Sequence, residues 1–478
     1  MLNVTFIRVC IFLFFCLASL FLYIGVYDDV VHMYVYVYGQ VILLLIGFFV
    51  LFLRQKIIFS VFNIFSSMFV GYALGAFYYS LQTIEFGKFI GFTTIQTEKI
   101  VELYEVSLLI LIAGYVFFTL GYVVSQFRSY TNLSISMSFI EKGLLPLYLY
   151  KSRWMIIAPF LSLGLISWWY VSLKTSGGIY ESLIYFQAFR HMAKEAGVST
   201  VLYNFYYAGM FYWLYLIVLN RKKIPIHFML LSIIGMLMNL SQGQIMAPIT
   251  YVLVQLVYVG VCRPKLQRKM IMAGVGAMVV ALLLYFLRIA SNLFYIGVEL
   301  SFDKVVGDFF YKIIGSGNIA DVQQIAIIYW SIEQGVVDFG FTFFDWAINI
   351  FSGILGLTPS SVGLTLKESF FPVESGAPTP GAIGEMYANF QEVSILLMFF
   401  VGLFLGIIQN VLLFKVNYFN RMLYAIFLMK FVFLYPKVDS TMFTSFVYVA
   451  FPLLLIVVCH VFLVLVLFSS RGRKINNA

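Results

Sequence analysis

The chain has 478 residues, 62% of them hydrophobic and only 11% charged, far from the composition of a soluble globular protein. Its net charge of +9 does not point to nucleic acid, because the basic residues sit in short segments between long apolar runs, as in a membrane protein. The four cysteines, Cys10, Cys16, Cys262 and Cys459, lie in or beside those runs, with neither metal-ligand spacing nor a disulfide framework.

Apolar runs of about 20 residues, the length a bilayer-crossing helix needs, recur along nearly the whole chain. The first, residues 7 to 26, is longer than a signal-peptide core and lacks an A-x-A-like site, so it reads as a span. The pattern predicts an all-α polytopic protein, residues 1–478 forming a single integral membrane domain. About twelve transmembrane helices are expected, at roughly 5–26, 33–53, 57–80, 103–125, 154–174, 199–219, 225–240, 245–262, 270–289, 393–414, 422–436 and 443–468. Most of the 30 Lys and Arg fall in RQK at 54, residues 126–153, NRKK at 220, CRPKLQRK at 262, KVNYFNR at 415 and RGRK at 471. The positive-inside bias makes these segments, and with them both termini, cytoplasmic. Glu141 is the one acidic residue among them.

Two external loops are long enough to carry function. In the shorter, residues 175–198, Leu183, Phe186, Phe189 and Ala193 share one helical face. Gln187, Arg190, His191 and Lys194 form a cationic ridge on another. The longer loop, residues 290–392, opens with SFDKVVGDFFYKI, an amphipathic pattern suited to a helix on the membrane surface. GSGN at 315 interrupts it, and a second helix is expected from Ile319 to Glu333. The stretch 339–357 is apolar, but a crossing there would place Asp345 and Asn349 in hydrocarbon and turn every later basic loop outward. It reads as an interfacial or re-entrant piece. The loop ends in FFPVESGAPTPGAIGEMYANFQE, residues 370–392, whose Pro and Gly residues impose an irregular backbone.

No nucleotide-binding loop, HExxH or GxSxG motif is present, and neither a metal nor a cofactor is expected. Arg190 can bind phosphate in a fork geometry, or simply be a solvated charge on its helix. Arg288, at the outer end of a span, is a functional charge or a side chain reaching the interface. Lys430 lies within a short span and reads first as snorkelling. His191 can act as a base or a phosphate donor. His460, deep in the last span, reads as a helix-packing residue. Glu385 can take a proton from a sugar hydroxyl, or merely complement the dipole of the helix it begins.

Taken together, INIFSGILGLTP, then SGAPTPGAIGEMYANF, then the span from Val393 resemble the O-antigen polymerases, the Wzy-type oligosaccharide repeat-unit polymerases. The shared features are about a dozen spans, two external loops of which the second is longer, an Arg in the shorter loop (Arg190), another near the start of the longer (Arg288), and G-E-x-Y-x-N-F before the next span. The resemblance covers most of the chain in topology and about 40 residues in motif. Two positions depart from it. Gln391 stands where the family often has Gly, and SQGQ replaces a Gly/Arg-rich turn, leaving Gln242 and Gln244 there as sugar-hydroxyl ligands.

The resemblance implies a GT-C-like helical fold in the bacterial inner membrane. It also implies metal-independent glycosyl transfer, in which a glycan chain moves from undecaprenyl pyrophosphate to the outer sugar of an incoming undecaprenyl-pyrophosphate-linked repeat unit. The product would be a surface polysaccharide, O-antigen or capsule, and a chain-length regulator protein is an expected partner beside the lipid-linked substrates and membrane lipids. Arg190 and Arg288 would stabilise the departing pyrophosphate, with Lys194 or Lys312 beside them, and Lys430 would bind substrate. Glu385 or His191 would be the base, and Tyr387 and Asn389 would bind sugar. An O-antigen ligase shares this topology, although the G-E-x-Y-x-N-F context favours the polymerase. A flippase for lipid-linked sugars is the reading from another class, and it would carry more charge inside its spans.

Overall fold

A computed structural model describes residues 59–66, 97–126, 140–141, 145–184, 202–241, 246–295, 302, 305–306, 322–335, 337–339, 342–355, 361–370, 379–413, 417–436 and 440–475. Among these residues the regular structure is entirely helical. The helices are α1 (Thr97–Ser125), α2 (Leu145–Lys151), α3 (Arg153–Ser176), α4 (Ile179–Ile184), α5 (Tyr203–Leu219), α6 (Ile226–Leu240), α7 (Met246–Cys262) and α8 (Gln267–Tyr295). They continue with α9 (Val322–Glu333), α10 (Asp345–Leu355), α11 (Val362–Phe370), α12 (Gly381–Phe390), α13 (Val393–Leu413), α14 (Tyr418–Phe427) and α15 (Met442–Ile475). α14 runs on into a π-helical turn, Leu428–Val432. The expected spans 5–26 and 33–53, and 57–80 apart from its residues 59–66, lie outside the described residues.

Three described helices are long and apolar enough to cross a membrane: α3, α13 and the Met442–Val466 part of α15. α13, with 21 residues, is about 32 Å long. Its large exposed side chains, Val393, Leu396, Phe400 and Phe404, recur at helical spacing, as do Phe451, Val458, Phe462 and Leu465 on α15. A stripe of that size facing outward suits lipid rather than water. Shorter apolar helices occupy Leu109–Ser125, Ile226–Leu240 and Ala247–Cys262. α10, with 11 residues, is about 17 Å long, too short to cross.

The chain divides into two compact units, one of Met1–Tyr130, Phe310–Val411 and Phe431–Thr444, the other of Thr131–Phe309, Leu412–Lys430 and Ser445–Ala478. In the first, α9 and α12 pack on α1 and on each other. Ile383 fits against Gly114 at 3.1 Å from where a Cβ would stand, and Ile325 against Gly384 at 3.2 Å. α1 and α13 approach so closely that a Cβ on Gly121 would run into the Phe399 carbonyl, and one on Gly402 into that of Phe118. Gly402 and Gly406 make a GxxxG pair, the spacing that lets apolar helices touch backbone to backbone. Polar links reinforce the contact. Gln409 Oε1 accepts the Val61 amide at 2.7 Å, its Nε2 donates to Tyr122 Oη at 3.0 Å, and Asn410 Nδ2 donates to the Ser125 carbonyl at 2.9 Å.

In the second unit α3 packs along α5, α6 and α7 pair, and α14 packs on α5 and α7. α3 stops at Gly177, whose left-handed φ of 84° returns its amide to the Leu173 carbonyl. α14 starts under a double cap. Asn417 Oδ1 accepts the Phe419 and Asn420 amides, and the Glu141 carboxylate takes those of Tyr418 and Phe419 at 3.1 and 2.9 Å. Burial raises the Glu141 pKa, against the lowering effect of these bonds and of Arg421. His460 is fully buried between Ser152 Oγ at Nε2 and Tyr212 Oη at Nδ1, both 2.9 Å away. Ser152 gives its own proton to the Tyr148 carbonyl at 2.8 Å, so Nε2–H donates to Ser152 and Tyr212 donates to Nδ1. His460 is thus a helix-packing residue in its surroundings.

Candidate functional site

The G-E-x-Y-x-N-F segment is α12. It begins where Pro380 is followed by Gly381 at φ +70°, a conformation open to glycine, and its residues Gly381 to Ala388 are all buried. It ends at Gln391, with φ 49° and ψ −132°, a backbone that glycine adopts freely and a Cβ opposes. The Gln391 amide bonds the Tyr387 carbonyl at 2.8 Å, and after Glu392 the chain enters α13. The position at which this sequence departs from the family pattern is therefore one where the backbone calls for glycine.

Glu385 is only 1% exposed. Its Oε2 accepts the Ser440 amide at 2.8 Å, and its Oε1 lies 2.6 Å from Ser440 Oγ. Ser440 Oγ also lies 2.9 Å from the Phe343 carbonyl. One hydroxyl proton thus stands between two acceptors. Glu385 is the fifth residue of its helix and its carboxyl is turned to Ser440, so it does more than complement the helix dipole.

Asn389, one turn further on, closes the same knot. Its Oδ1 accepts the Thr342 and Phe343 amides at 2.6 and 3.1 Å, and its Nδ2 donates to the Glu385 carbonyl at 2.8 Å. The Thr444 hydroxyl donates to the Trp346 carbonyl at 3.2 Å, and Trp346 meets Phe443 edge-on at 4.7 Å. Three stretches, 342–346, 385–389 and 440–444, are so tied into one polar cluster. Asn389 serves here as a clamp. The partners Thr342 and Ser440 were missed in the sequence, where the only signal was a run of Ser and Thr after a Pro-Lys pair at the end of a span.

Tyr387, 3% exposed, sits beside this knot with its ring 6.1 Å from that of Tyr329. Tyr329 in turn donates to Glu333 at 2.7 Å. Burial lifts the Tyr387 pKa to about 12, helped by the carboxylates of Glu392 and Glu333. Glu333 and Glu392 are both exposed, so the rim over Tyr387 is acidic and rich in hydroxyls.

The remaining candidates are placed differently. Arg190, His191, Lys194, Lys312, Gln242 and Gln244 lie outside the described residues, with the whole cationic ridge and most of the 301–313 surface pattern. The backbone of Arg288 is in α8, which continues to Tyr295, and its neighbour Ile289 packs against Val305. Lys430 is in the π-helical turn, 8% exposed, with Nζ 6.0 Å from the Tyr207 ring centroid. Arg288 and Lys430 belong to the second unit, Glu385, Tyr387 and Asn389 to the first. Among the described residues no cluster of His, Cys, Asp and Glu is able to hold a metal ion. Comparison with family models, with curated proteins and with solved structures finds no match.

Proposed function

We propose that this chain is a polymerase of lipid-linked oligosaccharide repeat units, crossing the bacterial inner membrane about twelve times with both termini in the cytoplasm. What carries the reading is the G-E-x-Y-x-N-F segment. Its Glu, Tyr and Asn gather on one buried helix in the long external loop, beside a rim of Tyr329, Glu333 and Glu392. Carboxylates and aromatic hydroxyls are the groups that bind sugar hydroxyls.

In the proposed reaction a hydroxyl of the acceptor's outer sugar attacks the anomeric carbon of the donor chain. The bond from that carbon to undecaprenyl pyrophosphate breaks, and the lipid pyrophosphate leaves with the electron pair. Charge builds on the pyrophosphate, where Arg190, Arg288 and Lys194 or Lys312 are the cations available, while Lys430 binds substrate. The acceptor proton goes to Glu385 or His191, and a Glu385 that starts as the carboxylate can take it. Asn389 positions the site by fixing residues 342–343, and Tyr387, Gln242 and Gln244 address the sugars.

The test is a surface-glycan gel on a strain deleted for this gene and complemented with wild type, Arg190→Ala, Arg288→Ala or Glu385→Gln, with membrane levels matched. A polymerase deletion leaves a single repeat unit on the lipid core, and site variants fail to restore the ladder. A core with no repeat unit while lipid-linked polymer accumulates identifies a ligase instead. Unpolymerised units held on the cytoplasmic side identify a flippase.

A further inference from the structure

The turn that joins α5 to α6 is pinned along the junction of α2 and α3, inside the second unit. At its start Asn220 Nδ2 donates to the Pro146 carbonyl of α2 at 3.2 Å. At its end the His227 ring stands 6.1 Å from that of Trp154 on α3. Both rings also pack on the Trp213 ring of α5, Trp154 at 4.8 Å and His227 at 5.1 Å. The pinning gathers five cations: Lys151 and Arg153 from the α2–α3 junction, and Arg221, Lys222 and Lys223 from the turn. The two stretches, 145–154 and 219–227, hold no Asp or Glu. No carboxylate among the described residues pairs with the five cations.

The local geometry keeps these charges outward. The Arg221 amide bonds the Val218 carbonyl at 3.1 Å and the Lys222 amide bonds that of Ile217 at 3.0 Å, which ends α5 in a Schellman motif. Arg221 takes the left-handed position of that motif, at φ 51°, where glycine is the usual residue. A cation is therefore kept where the backbone favours a bare Cα. Lys151, Arg221, Lys222 and Lys223 are all exposed. Arg153 is half-buried, with Cζ 4.2 Å from the Tyr150 ring centroid and Nη1 donating to the Tyr150 carbonyl at 2.7 Å. Its Nε–H has no acceptor among the described residues.

An apolar surface begins beside the cations. Trp154 and Met155 are 38% and 56% exposed, and α6 exposes Ile226, Met229, Leu230, Ile233 and Leu237 along a helix about 22 Å long. α3, one of the helices able to cross a membrane, starts at Arg153 itself. Cations, then an exposed Trp, then an apolar stripe is the order of headgroup, interface and acyl layer in a bilayer. Charge complementarity selects the occupant, since a five-cation patch without a carboxylate matches an anionic lipid and not a neutral one. We propose that the second unit binds an anionic phospholipid here, its phosphate among Arg153, Arg221, Lys222 and Lys223 and an acyl chain along the exposed face of α6. None of these residues belongs to the proposed polymerase site, so the two readings stand or fall separately.

Native mass spectrometry of the detergent-purified full chain, titrated with phosphatidylglycerol and with phosphatidylcholine of the same acyl chains, tests the site. Phosphatidylglycerol is expected to bind at least about tenfold more tightly, and equal binding of the two overturns the proposal. A triple variant, Arg221→Gln with Lys222→Gln and Lys223→Gln, removes exposed charges only. It should weaken phosphatidylglycerol roughly 100-fold, at about fivefold per cation. The matched control is Lys265→Gln with Arg268→Gln and Lys269→Gln, which removes as many exposed charges from the start of α8 and the turn before it. It should change binding by less than about threefold. If both triple variants weaken binding equally, the attraction is diffuse charge rather than a site, and the proposal fails. Free inorganic phosphate should leave the lipid bound. Displacement of the lipid by millimolar phosphate would show that the acyl chain adds nothing and would overturn the lipid as occupant.

Discussion

Glu385 grips both the amide and the hydroxyl of Ser440, 55 residues further along the chain, at 2.8 and 2.6 Å. A buried carboxyl with two bonds to one residue has both a structural and a chemical role, and substitution can separate them. Glu385→Ala leaves the Ser440 amide without its acceptor and should lower stability by about 1–3 kcal/mol. Glu385→Gln keeps an acceptor for the amide and supplies an N–H toward Ser440 Oγ, so its thermal unfolding should stay near wild type. If Glu385 is the base, the glutamine variant is folded and inactive on the glycan gel. A folded, active glutamine variant removes Glu385 from the chemistry.

Asn389 meets two backbone amides that nothing of simpler chemistry would satisfy together. Asn389→Leu should cost about 1–3 kcal/mol and expose the 342–346 segment, detected as faster limited proteolysis there. Asn389→Asp keeps the acceptor but loses the donor to the Glu385 carbonyl, so its loss should be smaller than that of leucine.

Gln391 adopts a backbone that favours glycine. Gln391→Gly removes strain of about 1–3 kcal/mol and adds chain entropy to the unfolded state worth somewhat less. The expected outcome is a gain of roughly 1 kcal/mol, seen as a higher Tm of the detergent-purified chain. A lower Tm would show that the backbone there is not strained.

Gly121 and Gly276 make a matched pair on apolar helices. A Cβ at Gly121 meets the Phe399 carbonyl, whereas at Gly276 it meets nothing within 4 Å. Gly121→Ala should therefore destabilise by about 1–3 kcal/mol. Gly276→Ala should be neutral or gain up to about 1 kcal/mol from helix propensity. Equal effects on thermal unfolding would contradict the close approach of α1 and α13.

Glu141 imposes a pH dependence of definite sign. Its folded pKa is raised by burial, so the folded state holds its proton more tightly than the unfolded chain. The contribution of this group is most favourable below the ordinary carboxylate value of 4.5 and falls as pH climbs from there through the raised value. The Tm difference between wild type and Glu141→Gln, followed from pH 4 to 7, should move against the wild type as pH rises.

Helix positions were the legible part of this sequence, because apolar periodicity is a local signal. The helix expected from Ile319 to Glu333 is observed as Val322–Glu333, and the apolar stretch 339–357 holds a helix too short to cross. Glu385 stood out for its company of Pro and Gly. Its tie to Ser440 did not, since that pairing is set by packing between distant stretches. Asn389 illustrates the same gap: its chemistry suits a sugar hydroxyl, but the fold engages it with Thr342 and Phe343.

The contact between α1 and α13 also sets a clock. Its bonds join residues 285 and 287 positions apart, Asn410 to Ser125 and Gln409 to Tyr122. At about 5–20 residues synthesised per second, the notch at Gly121 waits roughly 15–60 seconds in the membrane before its partner leaves the ribosome. During that interval lipid or an insertion chaperone must cover a groove shaped for a helix, which makes this joint the point where biogenesis, rather than final stability, is most exposed to mutation.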